Sequence, residues 1–315
     1  MKAKKIIVAL SALIILILPI VIITINGSGK TYIKQGIYFD TYNEITVYSR
    51  KDYQKLNEVF EKLAYYDTLF DRRNEKSDIY RLNNSEGKPV SVTEDTYSLL
   101  KTACEYCEES NNAVDITIAP VIDIWGFGTD EAKEVPTDSE LNEALMHVDY
   151  TTIEFRDKNM VVLSDKDAKI DVGFIAKGYI ADCIKEYMIS IGIKKAVISL
   201  GGNILVIGQK SRNTPFVIGI KDPMNPSEIL KTEEVKDESV VTSGTYERYI
   251  EIDGKKYHHI LDTNTGFPAD NGINGVTVKA KNSVDADALS TICLILGEEE
   301  SEQILKNHNA TAIFY

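Results

Sequence analysis

The chain has 315 residues, of which 43% are hydrophobic and 26% charged, the make-up of an ordinary folded protein of one large or two small domains. A formal net charge of -13 and a pI near 4.9 argue against nucleic acid as a partner, because phosphates would be repelled over most of the surface. Four cysteines (Cys104, Cys107, Cys183 and Cys293) are too few and too irregular for a disulfide scaffold, and the CxxC pair lacks the second pair of a tetrahedral zinc site.

Lys2, Lys4 and Lys5 precede an apolar run from Ile6 to Ile25 interrupted only by Ser11, Pro19 and Thr24. At 1.5 Å per residue, about 20 residues span a bilayer core. The run exceeds the roughly 7 to 15 residues of a cleaved signal core, and no small-x-small site follows it. Residues 1–26 therefore read as an N-terminal membrane anchor more readily than as a signal segment. With the lysines inside, everything after Gly27 would lie extracytoplasmic at the cell membrane. Residues 27–36, with Gly27, Gly29 and Gly36, read as a linker, and 37–315 as the folded domain.

A β-branched and aromatic stretch from Ile37 to Ser49 predicts a first strand. Apolar residues recurring from Leu56 to Phe70 predict an amphipathic helix over Tyr53 to Asp71. A charged connection from Asp71 to Asn84 follows, then a helix from Glu94 to about Asn111 capped by Thr93. The apolar run from Ala113 to Gly128 holds the only tryptophan, Trp125, which suits a buried turn with a core anchor. Alternatively, Trp125, Gly126 and Phe127 line a cavity where glycine lets backbone approach a flat ligand. Asp130 to Asn142 is acidic surface loop and helix start, and Thr151 to Leu163 a hairpin turning near Asp157 and Lys158.

Lys169 to Ile193 reads as a strand end, a Gly-containing turn and a helix of about four turns, which would offer free amides and Lys177 to an anion. Gly201, Gly202 and Asn203 make a hairpin turn. Further strands are expected near 216–221, 239–242, 248–252, 256–260 and 275–279, with helices from about Asp285 and Glu298. Hairpins dominate, so the class expected is α+β with mostly antiparallel sheets.

The stretch from Ser243 to Thr291 gathers the groups best suited to chemistry. His258 and His259 are neighbours at a strand end and point to opposite faces. Asp287 and Thr291 stand four apart, on one face of a helix. Carboxylate, hydroxyl and imidazole together suit a hard cation acting on an oxygen-rich substrate.

In chain order the motifs FDT, SDIYRLN, DITIAPVIDIWGFG, DVGFIAKGYIAD, SLGGN, TSGTYERY, HHILDTNTGFP and DADALST resemble those of the FAD:protein FMN transferases, the ApbE-type flavin transferases, over nearly the whole chain from Phe39 to Phe314. The resemblance implies two interleaved α+β halves related to the T-fold. It also implies that FAD is split at its pyrophosphate, FMN is joined through phosphate to a threonine or serine of an acceptor flavoprotein, and AMP leaves. On this resemblance Phe39, Trp125, Gly126, Phe127, Asp171, Lys177 and Leu261 would bind FAD. Magnesium would be held by the side chains of Asp287 and Thr291 and the main-chain carbonyl of Phe174, where relatives carry Ala or Gly. His259 takes the catalytic histidine position, and the usual acceptors are membrane redox subunits. Thr263 replaces a usual proline, and Arg73 stands near where many members carry an aromatic residue.

In this reading the cation and Lys177 neutralise charge developing on the pyrophosphate. His259, with an ordinary pKa of about 6.5, takes the proton of the incoming hydroxyl. Two alternatives remain at this level: a protein that binds or stores FAD without turnover, and a pyrophosphatase releasing FMN and AMP to water.

Overall fold

The computed structural model describes residues 20–23, 30–127, 134–222, 225 and 227–315. Strands β1 (Ile20–Ile23), β2 (Tyr32–Tyr38) and β3 (Thr41–Val47) precede helices α1 (Arg50–Tyr53), α2 (Leu56–Phe70) and α3 (Asp78–Asn83). There follow β4 (Val90–Ser91), α4 (Glu94–Glu109), α5 (Ala119–Trp125), α6 (Asp138–Leu145), β5 (Ile153–Arg156), β6 (Met160–Leu163) and α7 (Ala176–Ser190). Hairpin strands β7 (Ala196–Leu200) and β8 (Asn203–Ile207) lead to β9 (Phe216–Lys221), β10 (Ile229–Val235), β11 (Ser239–Gly244), β12 (Tyr249–Ile252) and β13 (Lys255–His258). The chain closes with β14 (Gly275–Ala280), α8 (Ser283–Leu296), α9 (Glu298–Asn307) and β15 (Thr311–Phe314).

One seven-stranded sheet, in the order β15-β14-β11-β8-β7-β3-β2, runs through the molecule with every neighbouring pair antiparallel. This is the α+β class expected from the hairpin-rich sequence. The chain leaves the sheet after β3, builds α1 to α7 and the small β4-β6-β5 sheet, and re-enters as β7 beside β3, with Asn43 opposite Leu200. Strands distant in sequence thereby lie side by side within the sheet.

Both faces of the central strands are covered, which explains why β7 and β8 are buried along their whole length. Ile198, Leu200, Leu205, Ile207 and Val241 face the main core with α2, α7 and α8. Their sequence neighbours Val197, Ile204, Val206 and Val240 pack with Phe216, Ile218 and Val235 of the β1-β9-β10 sheet on the other face. Helix α8 is buried nearly all round, and its first amides, which have no partner within the helix, are capped from α7: Asp182 accepts from Ser283 N at 3.0 Å and Val284 N at 2.9 Å.

Several expectations need correction. Residues 32–36 are strand, not linker, and the stretch from Ile37 to Ser49 is not one strand: it turns at Phe39 and Asp40, with φ of 56° and 55°. No glycine marks that turn, so apolar character runs straight across it. The charged connection after Asp71 contains α3, capped by Ser77 Oγ accepting from Tyr80 N at 2.8 Å. The run around Trp125 is a helix with Gly126 as its left-handed cap, φ 71°. The expected loop after Asp130 lies partly outside the described residues. So do residues 1–19 and 24–26, most of the expected anchor; its end, Ile20–Ile23, pairs antiparallel with β9. Among the described residues no helix is long and apolar enough to cross a membrane.

Candidate active site

The site forms where the N-terminal turn of α7 meets α8. Gly178 permits this: a Cβ there would sit 2.7 Å from Asp287 Cβ and closer still to the Ser283 carbonyl, so the two backbones touch. Contact lets Gly178 N donate to Asp287 Oδ2 at 2.7 Å, and Lys177 Nζ reach within 3.5 Å of Asp287 Oδ1. Asp287 is buried, 3% exposed, and burial pushes its carboxyl up against the opposing pull of Lys177 and the Gly178 amide. One turn on, Thr291 Oγ1 lies 3.2 Å from Ser243 Oγ at the end of β11. Phe174 occupies the turn before α7 with its ring against the main core, so its bulk is accommodated there.

Two further groups stand in this electrostatic neighbourhood. His259 bonds twice to Arg248, its N donating to the carbonyl at 3.2 Å and its Nδ1 at 3.0 Å from the same oxygen. A carbonyl only accepts, so Nδ1 carries the proton and Nε2 keeps its lone pair. Burial, then the Arg248 guanidinium, pushes the ring down to about 3, with Lys177 adding to the effect. The ring is thus held below its ordinary value of 6.5, which favours the neutral form with the Nε2 lone pair available. Its neighbour His258 points the other way, to the Ala269 carbonyl at 2.9 Å. Glu247 was missed by sequence reasoning, although it lies within TSGTYERY. Its Oε1 is sealed from solvent without a hydrogen-bond partner, and burial raises the carboxyl to about 7 against the pull of Lys177 and Arg248.

A second group of predicted residues gathers around α5. Trp125 and Phe127 stack at 5.8 Å and share one apolar cluster with Leu261, brought in by the Leu261–Pro268 bridge. Trp125 is fully enclosed, its Nε1 donating to the Gly266 carbonyl at 2.7 Å, so its side chain is a core anchor. Asp171 accepts from Gly173 N at 2.8 Å and pairs with Arg72 Nε at 3.0 Å. Phe39 sits at the β2–β3 turn, its N donating to Asp67 Oδ1 at 2.6 Å. A left-handed bulky residue costs about 1–2 kcal/mol and persists only where neighbours hold it. Thr263, in place of the usual proline, uses the hydroxyl so gained on the Asn112 carbonyl.

The sequence model of the ApbE family matches residues 39–314, and the match takes in both groups of residues. The chain belongs to the ApbE family. The FAD:protein FMN transferase of Treponema pallidum (strain Nichols) is 33% identical over 300 residues, covering 88% of this chain and 82% of that protein. The crystal structure of the ApbE protein from Thermotoga maritima superposes with a TM-score of 0.84 at 35% identity, over 90% of this chain and 94% of that one. The flavin transferase ApbE from Vibrio cholerae, at 24% identity and a TM-score of 0.81 over 91% and 93% of the two chains, shares the fold.

Within this ApbE fold the structure joins Lys177 to Asp287 directly, and Trp125 and Phe127 to Leu261. The donors expected to hold a cation are all oxygens. Asp287 Oδ1 has Lys177 only at 3.5 Å, and Thr291 offers a hydroxyl one turn away, a set that fits a hard divalent ion. Among the described residues, one group of three His, Cys, Asp or Glu side chains could also hold a metal: His147, Asp165 and Asp167. There His147 Nδ1 already pairs with Asp165 Oδ2 at 2.7 Å.

Proposed function

We propose that the chain is a FAD:protein FMN transferase: it splits FAD at the pyrophosphate and joins FMN through phosphate to a threonine or serine of an acceptor protein. The acceptor hydroxyl oxygen bonds to the FMN phosphorus, the bond from that phosphorus to the bridging oxygen breaks, and AMP leaves with that oxygen. The observation that carries the reading is the Lys177–Asp287 contact at 3.5 Å, with His259 beside it, in a chain matching ApbE over 39–314.

An acidic protein handling a pyrophosphate must gather positive charge locally. Lys177, at the N-terminal turn of α7, supplies one charge at the positive end of that helix, whose Gly178 amide is engaged by Asp287. A magnesium ion held by Asp287, Thr291 and the Phe174 carbonyl would supply the rest by neutralising phosphate oxygens. His259, fixed at Nδ1 by the Arg248 carbonyl, presents Nε2 to take the hydroxyl proton. Leu261, Phe127 and Gly126, with Trp125 behind them, together with Phe39 and Asp171, would hold the rest of FAD. The apolar run within residues 1–26 would place the domain extracytoplasmically, which suits a membrane redox subunit as acceptor, and deleting 1–19, which spares β1, should release the protein from membranes.

Incubation with FAD, magnesium and a threonine-bearing acceptor, followed by mass analysis, tests the reading. An FMN adduct on the acceptor supports it. AMP without adduct would instead indicate a pyrophosphatase, and unchanged FAD a storage protein.

A further inference from the structure

Arg72 and Arg73 lie in the loop between α2 and α3, a segment to which the proposed reaction gives no task. The Arg72 guanidinium is largely enclosed, 14% exposed, and bridges two carboxylates: Nη1 to Asp123 Oδ1 at 2.8 Å and Nε to Asp171 Oδ2 at 3.0 Å. Asp123 is on α5, two residues before Trp125, and Asp171 is in the turn leading to α7. Arg73 extends the same grip, its Nη2 donating to the Phe127 carbonyl at 3.0 Å.

The backbone of these segments is already secured without the arginines. Asp171 N donates to the Ile116 carbonyl at 2.7 Å, and Ala119 N to the Lys169 carbonyl at 3.3 Å. What Arg72 adds is direction. With Gly173 N on Oδ1 and Arg72 on Oδ2, both oxygens of Asp171 are fixed, so the carboxylate has one orientation rather than several. Because Arg72 also holds α5, that orientation is referred to the Trp125–Gly126–Phe127 turn.

We propose that Arg72 is a positioning residue of the flavin-nucleotide site, aligning the Asp171 carboxylate with the turn after α5 so that the two meet FAD together. The inference rests on the flavin-site reading above. It takes Arg72 as the residue through which two separately folded segments act as one binding wall, without touching the phosphates where bonds change.

The test uses the full chain with FAD as the probe, comparing wild type, Arg72→Gln, Arg72→Lys and Asp123→Asn. Flavin fluorescence gives Kd, AMP release gives KM and kcat, and thermal melting gives stability. Losing one well-placed charge-assisted hydrogen bond weakens binding by about tenfold or more, so Arg72→Gln should raise Kd and KM for FAD at least about tenfold while kcat stays within threefold. Arg72→Lys, which can serve only one carboxylate well, should recover part of that loss, and Asp123→Asn should show a smaller rise of the same kind. FAD affinity unchanged in a folded Arg72→Gln, or equal losses in kcat with KM unmoved, overturns the proposal. If Arg72→Gln does not fold, Arg72→Lys decides, and wild-type KM in that variant overturns it. Failure of the wild-type chain to bind FAD would instead remove the flavin-site reading itself.

Discussion

Lys177 Nζ stands 3.5 Å from Asp287 Oδ1, joining the first turn of α7 to the second turn of α8. The carboxylate is buried and the ammonium is its cationic neighbour, so neither can be removed without leaving the other uncompensated. In Asp287→Asn the Gly178 amide keeps an acceptor while the charge is lost. The variant should remain folded and lose on the order of 10²–10³-fold in transfer rate, as expected for removing an electrostatic group from the site. AMP release across a magnesium titration checks this, and a wild-type curve would take Asp287 out of the reaction.

Gly178→Ala tests the helix contact that makes the pair possible. The new methyl would meet Asp287 Cβ at 2.7 Å and the Ser283 carbonyl at shorter range, and neither backbone can yield locally. Overpacking of this kind costs about 1–3 kcal/mol, partly offset by about 1 kcal/mol of helix propensity. A lower melting temperature together with reduced transfer is expected. Normal activity at normal stability would mean that α7 and α8 can separate without consequence.

His259→Ala should abolish transfer, by about 10²–10⁴-fold for a lost proton acceptor, while FAD affinity stays within a few-fold. In the free protein, burial and the Arg248 guanidinium lower this ring below its ordinary value, so the neutral form is favoured near pH 7. The pH profile of kcat/KM should therefore carry no inflection near 6.5 that His259→Gln removes; finding one would place the ring in solvent-like surroundings.

The features that were readable in the sequence are those set by local pattern. Periodicity gave α2 and α4, paired glycines gave the β7–β8 turn, and four-residue spacing put Asp287 and Thr291 on one face of α8. The features that were hidden depend on tertiary placement. Phe39 turns a hairpin without glycine because Asp67, 28 residues away, receives its amide. Strand β10 has no alternating apolar pattern because it is exposed on both faces along nearly its whole length. Glu247 was indistinguishable from a surface glutamate until the fold enclosed it beside Arg248, and nothing in the sequence near Arg72 announces its two carboxylates. His259 was recognisable as a candidate, but its depressed pKa comes from burial and from the guanidinium of Arg248, just before β12, whose carbonyl it bonds.

Glu247→Gln gives the clearest dependence of stability on pH. Its carboxyl is raised from 4.5 to about 7 by burial, so the folded state binds a proton more readily than the unfolded state. Between about 4.5 and 7 the native protein holds more protons, which makes the slope of unfolding free energy with pH negative. The stabilising contribution is complete below the unfolded value and is lost as pH rises through 7. Glutamine stays neutral and should flatten that slope, leaving the variant more stable than wild type above pH 7 by on the order of 1–3 kcal/mol. Below pH 4.5 the two should be nearly equal. Denaturant melts of the ligand-free protein at pH 5, 6, 7 and 8 measure the difference directly. A wild-type advantage that grows with pH would mean that Oε1, which has no partner in this structure, acquires one when ionised.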